Sequence, residues 1–145
     1  MSKREPAIKG HFDTPTAREL RMFELALKIA TDSDCSDRHG SVIAKGRRVV
    51  SVATNRFVTH PISDLWLKTS VHAEQRALIR AGSRSRRATL YCARDHFNLI
   101  SMPCAMCFDL LQEAGIARVI FHDQHRVVGY DLPYALPQRP QRHAA

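Results

Sequence analysis

Hydrophobic side chains recur at helical spacing in the first third of the chain. Phe23 and Leu27 lie four positions apart in a longer run of the same period, which predicts a helix over about residues 16–31 with one buried face. Thr14 and Pro15 precede this run, and the pair is typical of an N-cap followed by the first helical residue. The chain is therefore expected to enter its folded part through a capped amphipathic helix.

Two short runs rich in β-branched residues come next. Residues 41–45 and 48–53 are separated by Gly46, and this arrangement predicts a β-hairpin. Residues 55–70 show no regular period and are predicted to form a long loop. Such loops inside compact domains commonly carry function. Trp66 in this loop is interpreted as a packing anchor.

Helices and strands alternate in the second half of the chain. The predicted elements are a helix over 71–80 ended by Gly82, a strand over 88–93, a loop over 95–102, a helix over 103–114 ended by Gly115, and strands over 117–121 and 127–130. This order predicts an α/β fold of three layers, α/β/α, with a mixed and mostly parallel sheet and an antiparallel edge hairpin. We expect one domain over residues 14–130, a flexible N-terminal segment (1–13) and a loose C-terminal tail (131–145).

The composition is that of an ordinary globular domain. The 145 residues are 44% hydrophobic and 25% charged, which suffices for one core. No apolar run approaches the roughly 20 residues that span a bilayer, and no apolar segment follows the basic N-terminus as in a signal peptide. We therefore expect a cytoplasmic protein without a membrane partner. The net charge of +8 is compatible with a nucleic-acid partner.

The four cysteines divide into two kinds. Cys35 and Cys92 are interpreted as small buried residues. Cys104 and Cys107 form a C-x-x-C pair, which without a secretion signal indicates metal binding or redox chemistry more than a structural disulfide. Both lie at the start of a predicted helix, where the helix N-terminus favours the thiolates that bind metal.

A histidine and a glutamate at the start of another predicted helix complete a candidate zinc site. His72, Cys104 and Cys107 supply three ligands, which leaves the fourth tetrahedral position open to water, as in catalytic zinc sites. Glu74 adds a carboxylate that need not bind the metal. H-x-E followed by P-C-x-x-C is the signature of zinc deaminases, whereas the spacing does not fit the H-E-x-x-H of zinc proteases. A structural zinc site and a redox-active cysteine pair remain as alternatives.

Several segments of the chain together resemble the cytidine and deoxycytidylate deaminase superfamily over roughly residues 18–122. They are residues 38–43, Asn55, residues 71–74, residues 88–91, residues 103–107 and residues 115–121. The resemblance implies a cytidine-deaminase-like fold, a zinc cofactor, a nucleotide or nucleoside substrate and a homo-oligomer.

The resemblance also implies a role for each site residue. His72, Cys104 and Cys107 would hold zinc, which lowers the pKa of a water molecule towards ~7. Glu74 would act as the catalytic acid and base and carry protons from water to the base. The two remaining roles concern the substrate: the backbone of Ala73 would hold the base, and Asn55 would contact the sugar.

Two segments depart from the pattern of the superfamily. The approach from Cys92 to Cys104 is longer than usual, and residues 95–102 within it are expected to reshape the mouth of the pocket. Residues 56–61 replace a glycine-rich stretch that is common in deoxycytidylate deaminases. Phe57 in this segment is interpreted as a packing residue and His60 as an ordinary loop residue.

Three functions follow as hypotheses. The preferred one is hydrolytic deamination of a free cytosine nucleotide or nucleoside, with deoxycytidylate the favoured substrate and ammonia and the uracil form as products. The second is deamination of a base within tRNA or single-stranded nucleic acid, because residues 103–107 also resemble the P-C-x-M-C of tRNA adenosine deaminases. Basic residues do not interleave regularly with aromatic ones, which disfavours a stacking groove. The third is a non-catalytic binding module stabilised by zinc.

Overall fold

The computed structural model describes residues 12–59, 68–95, 100–123 and 126–132. Within these ranges the chain forms three α-helices and seven strands. In chain order they are α1 (Ala17–Ala30), β1 (His39–Lys45), β2 (Arg48–Thr54), β3 (Arg56–Thr59), β4 (Lys68–Val71), α2 (Ala73–Ala81), β5 (Thr89–Arg94), α3 (Ala105–Ala114), β6 (Arg118–Asp123) and β7 (Arg126–Asp131). None of these helices has the length and apolar character needed to cross a membrane.

Five strands form the main sheet in the order β2-β1-β5-β6-β7. Of its strand pairs, β5 and β6 are parallel and the other three are antiparallel. The predicted mixed sheet with an antiparallel edge hairpin is confirmed, but the expectation of a mostly parallel sheet is wrong. The helices do connect strands that run in the same direction: α2 lies between β2 and β5 in the chain, and α3 lies between β5 and β6. However, β1 lies between β2 and β5 and runs against both.

Helices cover both faces of the main sheet, which confirms the predicted three layers. Successive side chains of a strand point to opposite faces. In β1, Val42 packs in the cluster that contains Phe23 of α1, whereas Ile43 packs in the cluster that contains Ala77 of α2 and Phe108 of α3. The core is therefore two apolar layers separated by the sheet.

One glycine permits the close approach of α1 to the sheet. A Cβ atom at Gly40 would lie 2.4 Å from the carbonyl oxygen of Ala26 and 2.5 Å from the backbone nitrogen of Ala30. These are backbone atoms and cannot move aside as a flexible side chain would. Gly40 thus sets the distance between α1 and β1, close to the strand end that lines the site described below.

The N-cap of α1 is Thr16, two residues later than predicted. Its hydroxyl accepts a hydrogen bond from the Glu19 backbone N–H at 3.1 Å, and the Glu19 carboxylate accepts one from the Thr16 N–H at 2.9 Å. This capping box satisfies two backbone N–H groups. The pattern at Thr14 and Pro15 was therefore a misleading signal for the start of the helix.

The predicted hairpin is confirmed, with Gly46 at the turn in the left-handed region (φ +58). The predicted loop over residues 55–70 contains a second hairpin, β3 with β4. Four-residue strands are too short to show a period in the sequence, so this pair escaped the prediction. Trp66 lies outside the described residues, as does His60.

The described chain begins with two residues that contact the main sheet. The ring of Phe12 lies 5.7 Å from that of Phe121 and 5.6 Å from that of Tyr130. Asp13 exchanges backbone hydrogen bonds of 2.9 Å with Gly129 in β7. The sequence predicts a flexible segment over residues 1–13, whereas Phe12 and Asp13 are held against the sheet. The predictions for residues 1–11 and 133–145 concern positions outside the described ranges.

Candidate metal centre and pocket

The helices α2 and α3 begin close to each other, and the N-cap residue of each is a candidate metal ligand. His72 is the N-cap of α2 and Cys104 is the N-cap of α3, so both helices start slightly later than predicted. His72 follows Val71, which ends β4. Both glycine ends were predicted correctly: Gly82 caps α2, and Gly115 caps α3 in the left-handed conformation (φ +81).

The three ligand candidates form one compact group. His72 Nδ1 lies 3.2 Å from the sulfur of Cys107 and 3.7 Å from the sulfur of Cys104, and all three ligand atoms lie within 4.8 Å of one another. Ordinary zinc bond lengths and tetrahedral angles place a nitrogen and a sulfur about 3.6 Å apart. The donor set and its spacing therefore fit a zinc ion with a fourth position left for water.

The two cysteines have different surroundings. Cys107 is fully buried in the first turn of α3, whereas Cys104 is partly exposed and lines the cavity. Burial, and next the charge of Glu74, raises the pKa of the Cys107 thiol well above its usual range. A metal ion must therefore displace a tightly held proton from this thiol, which makes metal binding pH-dependent. The N-terminus of α3 favours the resulting thiolate.

Glu74 lies in the first turn of α2, beside the metal-ligand group. Its side chain is only 7% exposed and lines the same cavity as His72 and Cys104. Its negative charge also contributes to the raised pKa of Cys92 and Cys107. A buried carboxylate beside a metal site, outside the group of ligands, is placed to accept and return a proton.

The cavity has a volume of about 460 Å³, within the usual range for small-molecule sites. His72, Ala73, Glu74 and Cys104 line it at the helix starts, so the four residues predicted there are brought together. The rest of its wall comes from four other segments: the loop before β1, the start of β1, the residues after β2, and the segment from Arg94 to Cys104.

Asn55 lines the cavity, and its side chain also makes hydrogen bonds to neighbouring residues of the protein. Its Oδ1 accepts hydrogen bonds from the Ser33 hydroxyl at 2.6 Å and from the His39 N–H at 3.0 Å. Its Nδ2 donates to the carbonyl oxygen of Asp37 at 2.7 Å. Asn55 therefore fixes the loop between α1 and β1, a role that the sequence did not predict.

Several cavity residues carried no sequence signal of function. Arg94 binds Asp37 at the rim, and the Phe57 side chain is 45% exposed at the wall instead of packed as expected. Ile100 and Met102 also line the cavity, which agrees with the expectation that residues 95–102 shape its mouth. Cys35 and Cys92 are buried as predicted, although Cys35 also reaches the cavity wall.

A comparison with protein families identifies the family of the chain. The family model of the cytidine and deoxycytidylate deaminase zinc-binding region matches residues 16–123, about three quarters of the chain. The chain belongs to this family. It is accordingly a zinc-dependent hydrolase of the deaminase type, and the zinc predicted from the sequence is confirmed as its cofactor.

Two solved deaminase structures share the fold of this chain at low sequence identity. Cytidine deaminase from Burkholderia pseudomallei superimposes with a TM-score of 0.59 at 19% identity, over 81% of this chain and 95% of that one. The dCMP deaminase of cyanophage S-TIM5 gives 0.52 at 20% identity, over 73% and 82%. Acinetobacter baumannii RibD gives 0.48 at 20% identity, over 70% of this chain but only 27% of its own length. A search of curated proteins gives no match.

Proposed function

We propose that this chain deaminates a free cytosine nucleoside or nucleotide by hydrolysis, with deoxycytidylate as the first substrate to test. The observation that carries the proposal is the convergence of His72, Glu74 and Cys104 on one cavity of about 460 Å³, with Cys107 behind them. Family membership fixes the reaction type. The volume of the cavity suits a single nucleoside or nucleotide.

In the proposed reaction Glu74 carries the protons. Zinc held by His72, Cys104 and Cys107 supplies one thing, a water molecule acidic enough to lose a proton near neutral pH. Glu74 takes this proton and gives it to N3 of cytosine as the water oxygen forms a bond to C4. Glu74 then takes the remaining proton of the oxygen now bonded to C4 and gives it to the amino group, so the C4–N4 bond breaks, the C4 carbonyl forms and ammonia leaves. Water and cytosine thereby give uracil and ammonia.

Two further residues are proposed to hold the substrate. Ala73 lies between His72 and Glu74, is fully buried, and lines the cavity. Its peptide groups would hold the base against Glu74. Among the described residues, the Asn55 Nδ2 group donates one of its two N–H groups, to Asp37, and the other would meet a sugar hydroxyl.

The test is an ammonia-release assay on the zinc-loaded protein. Its substrates are cytidine, deoxycytidine, their monophosphates, adenosine, guanine and single-stranded oligonucleotides. Release from cytosine nucleosides or mononucleotides, with none from adenosine or guanine, is expected. The Cys107→Ser variant should contain little zinc and release no ammonia, which excludes a contaminating enzyme. Turnover of oligonucleotides alone would overturn the proposal in favour of a polynucleotide substrate.

A further inference from the structure

The rim of the cavity contains an ion pair that joins two distant segments of the chain. Arg94 ends β5, and Asp37 lies in the loop before β1. The guanidinium donates from Nε to one carboxylate oxygen at 2.8 Å and from Nη2 to the other at 2.6 Å. The hydrogen bonds from Arg94 hold the pKa of the Asp37 carboxyl below its usual range. Such a two-point contact fixes orientation as well as distance.

Arg94 also reaches the segment that leads to the zinc ligands. Its Nη1 donates to the carbonyl oxygen of Ile100 at 3.3 Å. Ser101 follows, and its hydroxyl donates to the Cys92 carbonyl at 2.8 Å and accepts from the His122 N–H at 2.7 Å. Cys104 is three residues further along the chain. Arg94 and Ser101 thus hold the end of the long approach to Cys104.

The contacts form a continuous path around the rim. Asn55 binds the carbonyl of Asp37, the Asp37 carboxylate binds Arg94, and Arg94 binds the carbonyl of Ile100. All four residues line the cavity. Three of the five guanidinium N–H groups are used by these protein contacts. The Arg94 side chain is 23% exposed, so water screens it only in part.

From these contacts we infer that Arg94 is a positioning residue: it holds the Asp37–Asn55 wall at a fixed distance from the segment that carries Cys104. It acts through Asp37 and Ile100, not through the reacting atoms. Its loss should therefore weaken substrate binding more than the chemical step. The inference rests on the proposed function for its kinetic readout, and a second readout below does not.

A neighbouring ion pair offers a matched control. Arg38 binds Asp95, so this pair joins the same two segments one residue away, yet neither residue lines the cavity. Arg94→Met and Arg38→Met remove the same charge from adjacent pairs. Arg94→Lys keeps the charge but cannot bind both Asp37 oxygens and the Ile100 carbonyl together.

The kinetic experiment compares these variants on a nucleoside and on its monophosphate. Arg94→Met should raise KM about ten-fold on both substrates, with kcat within about three-fold of wild type. Arg94→Lys should resemble Arg94→Met, Arg38→Met should resemble wild type, and adding Asp37→Ala to Arg94→Met should cost little more. A loss confined to the monophosphate, with rescue by Arg94→Lys, would overturn the inference by showing direct contact with phosphate.

Hydrogen exchange on the zinc-loaded protein gives the second readout. Peptides covering residues 100–108 should exchange about ten-fold faster in Arg94→Met and at the wild-type rate in Arg38→Met. Equal exchange in wild type and Arg94→Met would overturn the positioning role. If wild type turns over no substrate, the proposed function fails, whereas the exchange experiment still decides whether Arg94 holds this segment.

Discussion

The two ends of the main sheet are each organised around an arginine, with opposite consequences. At the pocket end, Arg94 binds one carboxylate and borders an open cavity. At the other end, Arg118 binds Asp13, Glu19 and Asp131 at 2.6, 2.8 and 3.0 Å. Its side chain is 17% exposed, and these carboxylates raise its pKa further above the usual value.

The difference between the two ends shows which polar groups stabilise the fold and which are available for chemistry. The carboxylates around Arg118 come from the N-terminal segment, α1 and β7. They accept hydrogen bonds from Nε, Nη1 and Nη2 of the guanidinium, so no N–H group is directed at a ligand site. At the pocket end, Glu74 and Cys104 line an open cavity. Polar groups that face each other stabilise the fold, whereas polar groups that face a cavity are available for chemistry.

The largest difference is expected when a glutamate is replaced by glutamine at each end of the sheet, Glu74 at the pocket end and Glu19 beside Arg118. Glu74→Gln removes the proton carrier and should lower kcat by at least ~10²-fold, with zinc content and thermal stability unchanged. Glu19→Gln weakens the contact with Arg118 and the N-cap of α1, so it should lower stability and leave kcat unchanged. Steady-state kinetics, zinc analysis and thermal unfolding of both variants test this contrast. Loss of zinc in Glu74→Gln would instead make Glu74 a ligand.

Arg118→Met should lower the free energy of unfolding by about 1–3 kcal/mol, because three carboxylates lose a charged hydrogen-bond donor. The partial exposure of Asp13 and Asp131 limits the effect. Activity at low temperature should stay near the wild-type level, since the cluster lies at the end of the sheet away from the pocket. Urea unfolding measures the loss, with the exposed Arg47→Met as control. Equal losses in the two variants would remove the special role of the cluster.

The pH dependence of stability should identify the same cluster. Hydrogen bonds from Arg118 lower the pKa of Asp13 below 3.8. Burial alone would raise the pKa of Glu19, but its hydrogen bonds with Arg118 and Thr16 hold it below 4.5. A lowered folded-state pKa adds stability above the unfolded pKa that is lost as pH falls through the folded value. The stability curves of wild type and Arg118→Met should therefore converge as the pH falls below 4.5 and through the lowered folded-state pKa values of these two carboxyls. Parallel curves would contradict this origin.

Local patterns were sufficient to predict the metal centre. His72, Cys104 and Cys107 each belong to a short motif at a helix start, and helix starts converge at one edge of a sheet. The three-layer fold and the first hairpin were also predictable from local patterns, because both follow from the spacing of hydrophobic residues within each helix and strand. The antiparallel direction of β1 relative to β5 could not be predicted in this way, because it depends on β1 lying between β2 and β5 in the sheet.

The rim of the pocket could not be predicted from local patterns. Asp37 and Arg94 are 57 positions apart, and neither belongs to a motif. Phe57 lies in a four-residue strand whose partner is reached only through a long connection. The resemblance predicts a role for Asn55, but its hydrogen bonds to the α1–β1 loop and to the first residue of β1 depend on the folded arrangement. Contacts of this kind require the packed structure.

The smallest expected effect is that of Ser41, and a second buried serine near the pocket end, Ser101, provides the comparison. Ser41 in β1 is fully buried, and among the described residues its hydroxyl has no hydrogen-bond partner. Ser101 is equally buried, but its hydroxyl makes two hydrogen bonds, to Cys92 and His122. An unpaired buried hydroxyl is unfavourable, whereas removal of a paired one leaves its partners unsatisfied.

Alanine substitution should therefore change stability in opposite directions at these two positions. Ser41→Ala should raise the free energy of unfolding by about 0.5–1 kcal/mol, and Ser101→Ala should lower it by about 1–3 kcal/mol. Thermal unfolding of the two variants under identical conditions measures both shifts. Destabilisation by Ser41→Ala would mean that the Ser41 hydroxyl has a hydrogen-bond partner in the folded protein.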